Sequence, residues 1–154
     1  MTDMGDAFAS ARAIDGQLAQ RDADYADGVV EAFTEALYDY RGDGDLDAFL
    51  SELSRSNRVL VNDGSGNFTD SGQLMGDTEH FGVALGDLDG DGDLDAFVAN
   101  ASGANKVWVN DGVGNFTDSG PSLGDSVTHG VALGDLDGDG DLDAFVANSG
   151  PNKV

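Results

Sequence analysis

The run Asp87-Leu88-Asp89-Gly90-Asp91-Gly92-Asp93-Leu94-Asp95 places a carboxylate at every second position, and Asp135 to Asp143 repeats it without change. Held along an extended strand, such side chains share one face and only repel. Glycines at the fourth and sixth positions permit positive φ, so the backbone can curl around a central point. Side chains at positions one, three, five and nine then converge: Asp87, Asp89, Asp91 and Asp95. Asp93 would add its main-chain carbonyl, and Leu94 would turn inward as an apolar anchor. The second run assigns the same roles to Asp135, Asp137, Asp139 and Asp143, with the carbonyl of Asp141. Convergent hard oxygens suit calcium, which takes six to eight of them at about 2.3–2.6 Å. Magnesium prefers fewer carboxylates and retained waters. Soft metals lack their ligands, since the chain has no Cys, and His80 and His129 lie outside the runs. Both histidines are read as preceding the first strand of their repeats, in a structural or surface role. The sequence predicts two calcium sites.

A third copy, Asp39-Tyr40-Arg41-Gly42-Asp43-Gly44-Asp45-Leu46-Asp47, departs at its third position. Arg41 carries a permanent charge and cannot be a ligand. Pairing with Asp39, Asp43 or Asp47 would let it stand in for the ion, so this loop is expected to bind calcium weakly or not at all. An EF-hand would need a bidentate Glu at position twelve. That position holds Val98, Val146 or Leu50. An EF-hand-like hairpin stays open only for the first copy, whose flanks before Asp39 and after Asp47 both read as helical.

The charge is concentrated in these loops. The formal net charge is −23, and 14 of the 26 Asp lie in the three runs. Outside them remain 16 acidic and 6 basic residues, a moderate excess. Nucleic acid binding needs clustered Lys and Arg, and the whole chain has seven. The same sign disfavours anionic membrane surfaces. No apolar run reaches the ~20 residues of a membrane span. The first residues lack the basic-then-apolar pattern of a signal peptide.

Repetition organises the rest. Gly82–Asn100 and Gly130–Asn148 are the same 19 residues at an offset of 48, and Val61–Gly72 recurs as Val109–Gly120 at that offset. Each period holds four strand-like pieces: Gly82–Leu88, Asp95–Asn100, Lys106–Asn110 and Phe116–Asp118. Asn110-Asp111-Gly112 is a hairpin-turn signal. Strands apolar on both faces suit packing between neighbouring sheets. Four short strands per ~40–50 residues is the pattern of a propeller blade. The fold class is therefore mainly β, a β-propeller-like repeat fragment of two full repeats and a partial third, with an N-terminal α-helical segment. Residues 39–86 form the degenerate repeat, 87–134 the intact one and 135–154 the partial one. Within 1–38, Val29, Val30, Phe33 and Leu37 fall at helical spacing, and a helix is preferred. The 48-residue register offers a divergent first strand instead. Asn67, Asn100 and Asn115 open glycosylation sequons, which are read as turn chemistry.

Phe81–Asn100 and Asn105–Gly120 resemble the FG-GAP/VCBS repeat family, the blades of integrin-α-type β-propellers and of many bacterial surface proteins. The resemblance covers about Asp39 to Val154. It implies a calcium ion in the hairpin between the first two strands of a blade, an extracellular or cell-surface setting, and adhesion or display of a protein or carbohydrate ligand. Family propellers close with more blades than this chain counts, so it reads as a fragment. Its open faces are expected to self-associate, to be capped by the N-terminal segment or to remain partly unfolded. A non-enzymatic calcium-binding structural module is the leading reading. The alternative is the scaffold fragment of a secreted polysaccharide-active enzyme, for which no acid/base pair or nucleophile stands out.

Overall fold

A computed structural model describes residues 34–51, 56–76 and 79–154. Ten strands form three antiparallel sheets, each strand pairing with its neighbour in sequence. The first sheet contains β1 (Thr34–Tyr38), β2 (Asp47–Ser51), β3 (Arg58–Asn62) and β4 (Phe68–Asp70). The second contains β5 (His80–Gly86), β6 (Asp95–Asn100), β7 (Lys106–Asn110) and β8 (Phe116–Asp118). In the third, β9 (Thr128–Gly134) pairs with β10 (Asp143–Asn148), and a single bridge joins Val146 to Lys153. Three of the four strands read from the repeat match β6, β7 and β8 residue for residue.

The first strand is where the sequence misleads. Thr34–Tyr38 lies within the stretch preferred as a helix, yet it pairs with β2 from Thr34↔Ser51 to Tyr38↔Asp47. Helical spacing is a local preference, and pairing to an adjacent buried strand overrides it. The helical reading of residues 1–33 lies outside the described residues. The EF-hand-like alternative also fails, because Asp47–Ser51 after the first loop is a fully buried strand.

Burial explains the apolar runs. β2 and β6 are buried along their whole lengths, since both of their faces meet other parts of the protein. One hydrophobic cluster crosses from the first sheet (Tyr40, Phe49, Val59, Met75) to the second (Ala96, Val98, Phe116), with Trp108 packed against it. Phe116 meets Tyr40 and Phe49 edge-on, each at 5.5 Å between ring centres. Such edge-to-face pairs add to the burial itself. Polar ties reinforce this junction. Gln73 donates from Nε2 to the Gly114 carbonyl at 2.7 Å and accepts the Phe116 amide at 2.8 Å. The Asn110 side-chain amide donates to the Tyr40 carbonyl at 3.2 Å.

The first strands of successive sheets lie side by side, with β5 packed against both β1 and β9. A Cβ on Gly82 would sit 3.8 Å from the Gly130 Cα, and Phe81 stacks on His129 at 5.2 Å. The two histidines are thus not equivalent and do not precede their strands. His80 opens β5 and is buried, whereas His129 is the second residue of β9 and is exposed, hydrogen-bonded to Ser149 Oγ at 2.6 Å.

The turns between third and fourth strands are built from sequon asparagines. Asn67 and Asn115 donate their side-chain amides to Asp63 and Asp111 at 2.8 and 2.9 Å. These donors hold both carboxyls below the ordinary range. Asn100, the third sequon residue, is buried and donates to the Ala104 carbonyl.

Phe116→Ala would empty the space between Tyr40 and Phe49. A loss of about 3–5 kcal/mol is expected, as for other buried aromatics, read as a lower urea midpoint in an equilibrium unfolding curve.

Candidate metal-binding loops

Each Asp/Gly run connects the first strand of a sheet to its second, between β1 and β2, β5 and β6, or β9 and β10. In the second sheet, Asp87 organises the loop by accepting the amides of Gly90 at 2.7 Å and Gly92 at 3.0 Å. Those glycines have φ of +82° and +97°, the left-handed region the sequence required of them. The carboxylates of Asp87, Asp89 and Asp95 come together, with one oxygen from each inside a 4.8 Å span. Asp91 stands apart from that trio, and its Oδ1 accepts the Asp93 amide at 2.9 Å. The Asp93 side chain turns away to lie over Gly112 in the β7–β8 turn. Leu94 is half-buried, a weaker anchor than anticipated.

Asp95 ties the loop to the sheet. Its Oδ2 accepts the Leu88 amide at 2.8 Å and its Oδ1 accepts the Asn110 amide at 2.9 Å. The residue is fully buried. Burial pushes its carboxyl above the ordinary range. The Asn110 and Leu88 amides oppose that shift, and the nearby Asp89 and Asp91 add to it. A buried carboxylate facing two others is costly until a cation shares the space.

In the third sheet Asp135, Asp137 and Asp143 converge in the same way, and Asp135 accepts the amides of Gly138 and Gly140 at 2.7 and 3.2 Å. Asp139 repeats Asp91 by accepting the Asp141 amide. Asp143 accepts the Leu136 amide at 2.9 Å, but it is only half-buried. Leu142 is 40 % exposed, and its Cδ1 lies over Gly86 of the second sheet, where a Cβ would come within 2.6 Å of it. The two intact loops face each other: Asp87 and Asp89 from one and Asp141 from the other line a common cleft.

The first loop holds a guanidinium instead. Arg41 reaches Asp43 Oδ2 at 2.5 Å and donates from Nε to Asp47 Oδ2 at 3.2 Å. Its Nη2 also donates to the Asn62 carbonyl at 2.8 Å. Asp47 keeps the sheet tie, accepting the Asn62 amide at 2.9 Å. Of the three partners anticipated for Arg41, Asp43 and Asp47 take the role. Asp39 instead accepts the amides of Asp43 and Gly44 at 3.0 and 2.8 Å, as Asp87 does in its own loop. The sequence did not disclose the part played by Gly64 and Gly112. A Cβ on Gly64 would lie 2.6 Å from Asp45 Oδ2, so these turn glycines leave room for the seventh loop carboxylate.

This geometry, a loop of alternating Asp between the first two strands of a four-stranded sheet, agrees with sequence comparison. The family model described as an FG-GAP-like repeat matches residues 39–98 and again 87–146. The chain belongs to the FG-GAP-like repeat family. The matches span more than half its length. No curated protein matches it in sequence. FG-GAP repeats build β-propeller-like modules that are generally structural, and the two acidic groups here are able to hold metal ions.

Arg41→Asp would turn the first loop into a copy of the other two. Without divalent cations the variant should melt at a lower temperature than the parent, because the buried Asp47 loses its counter-charge. In calcium it should recover, and terbium luminescence titration should count one more site than in the parent.

Proposed function

We propose that the chain is a non-enzymatic, calcium-stabilised module of a β-propeller-like protein, with one calcium ion in each intact FG-GAP loop. The observation that carries this reading is the convergence of Asp87, Asp89 and Asp95, and of Asp135, Asp137 and Asp143, at the place where Arg41 puts a positive charge in the first loop. One loop carries its own cation, and the other two present only carboxylates. Asp91 and Asp139 would complete the carboxylate sets. Asp93 and Asp141 would serve through their carbonyls, a role supported for Asp93 by the side chain lying over Gly112. Hard oxygens in this number fit calcium.

Bound calcium would supply the charge that the loops lack. Asp87 and Asp89 of one loop and Asp141 of the other line one cleft, so each loop sits in the field of its neighbour. Filling one site lowers the electrostatic cost of folding the other. Since the unfolded chain has no preformed site, binding energy becomes folding energy, about 2.7 kcal/mol per site at a calcium concentration 100 times its Kd. The loops would then act as charge-operated staples on one rim of the stack. By resemblance, the setting is extracellular or cell-surface, and the module serves adhesion or display of a protein or carbohydrate ligand.

The two sites should differ. Asp95 is fully buried and holds amides from both the loop and the third strand, whereas Asp143 is half-buried. Preorganisation of this kind raises affinity. Calorimetric titration of the chelator-stripped chain should resolve two sites, the tighter one lost in Asp89→Ala and the weaker in Asp137→Ala. Addition of calcium should raise the melting temperature of the parent and leave the double variant unmoved. A folded chain that takes up no calcium at millimolar concentration would rule out the reading.

A further inference from the structure

The second sheet carries a cavity at the end away from its Asp/Gly loop, where β5 and β7 begin and β6 and β8 end. It measures about 260 Å³, and its walls include Gly76, His80, Asn100, Lys106, Trp108 and Asp118. Part of this wall is copied between repeats, since Lys106 pairs with Asp118 at 3.1 Å as Arg58 pairs with Asp70 at 3.3 Å. Two residues are not copied. Trp108, the single tryptophan of the chain, stands where the first sheet has Leu60, and His80 stands where the third has Thr128. Both approach Gly76, where a Cβ would come 3.0 Å from His80 Nε2 and 4.0 Å from Trp108 Cζ2. The exchange at residue 80 also leaves Asn100 with an unmet need. In the third sheet Thr128 Oγ1 donates to Asn148 Oδ1 at 2.7 Å. Asn100 is 4 % exposed and donates its side-chain amide to the Ala104 carbonyl, which fixes its orientation, yet its Oδ1 accepts no hydrogen bond. A buried acceptor without a donor is costly.

We propose that this cavity binds one pyranose ring of a neutral sugar. The C–H face of the ring would lie against the indole of Trp108, and the hydroxyls at its rim would meet the polar walls. One hydroxyl would donate to Asn100 Oδ1, as the Thr128 hydroxyl does for Asn148 in the third sheet. Hydroxyls both donate and accept. Adjacent ones therefore suit Lys106 and Asp118, whose charges offset each other. An anion is disfavoured by the net charge of −23, and a cation by the Lys106 ammonium. The volume falls below the roughly 300–1,000 Å³ of clefts for drug-sized ligands, which limits the occupant to about one ring. The proposal rests on the ligand-display reading given above, and names the ligand class and its site.

The test is a titration of the 154-residue chain, in calcium-containing buffer, with the methyl glycosides of glucose, galactose, mannose and N-acetylglucosamine. Fluorescence of Trp108 and saturation-transfer NMR report binding, while circular dichroism and melting with and without calcium report the fold. At least one glycoside should bind saturably, in the millimolar range expected for a single ring. Asp118→Asn keeps the fluorophore and should weaken binding at least about tenfold. Trp108→Leu, which copies the first sheet, should abolish the NMR signal. A calcium-stabilised chain that binds none of the four, or binds one equally well in both variants, would overturn the proposal and leave the calcium reading standing. Saturable binding by a chain whose melting ignores calcium would uphold the site and overturn the calcium reading alone. A chain without the circular dichroism of β-sheet would overturn both.

Discussion

The carboxylate at the ninth loop position, Asp47 in the first sheet and Asp95 in the second, belongs to two structures at once. One oxygen accepts an amide from the third strand, Asn62 or Asn110, and so locks the start of the second strand into its sheet. The other faces the loop. Both residues are fully buried, and burial holds both carboxyls above their ordinary range. A buried charge needs a counter-charge. In the first loop Arg41 supplies it, whereas the rest of each intact loop adds more negative charge around a group of carboxylates that could hold a metal ion.

The first loop meets the requirement covalently. A guanidinium is large, planar and permanently charged, and it offers several donors in a fixed fork. Arg41 uses them on Asp43, Asp47 and the Asn62 carbonyl, and thereby ties the loop to the third strand as well. An ion brings more charge to a smaller volume, but it must be taken from solution. The chain therefore combines one fold-encoded charge with two loops open to a diffusible one. Tyr40 beside Arg41 shows the same economy. Its ring packs edge-on against Phe116, and its carbonyl receives the Asn110 side chain.

Much of this was legible in the residues, and what was not has identifiable causes. The 48-residue repeat exposed β6, β7 and β8 because three constraints coincide there: buried apolar runs, an Asn-Asp-Gly turn and the Asp/Gly loop. β1 was obscured because its turn signals are degraded and its Ala and Glu content imitates a helix. Only its pairing with β2 decides it. In the loops, the positive φ of Gly90 and Gly92 followed from steric reasoning. The separation of Asp91 from the trio did not, because a carboxylate with a nearby amide can bond to it instead of turning inward. The pairing of Arg41 was foreseen in kind, though not the preference of Asp39 for backbone amides. His80 and His129 look alike along the chain, but they sit one register step apart on their strands, and side chains on a strand alternate faces.

Gln73 has no counterpart one repeat later, where Pro121 stands in its place. Its two hydrogen bonds cross from the first sheet to the Gly114–Phe116 stretch of the second, and a proline offers no side-chain donor or acceptor to do the same. In a stack of sheets, stability is a sum of terms within sheets and couplings between neighbours. The coupling here is therefore graded, although the sequence on either side of it is nearly periodic. Two junctions of nearly periodic sequence are thus made unequal by one amide side chain that its repeat did not copy.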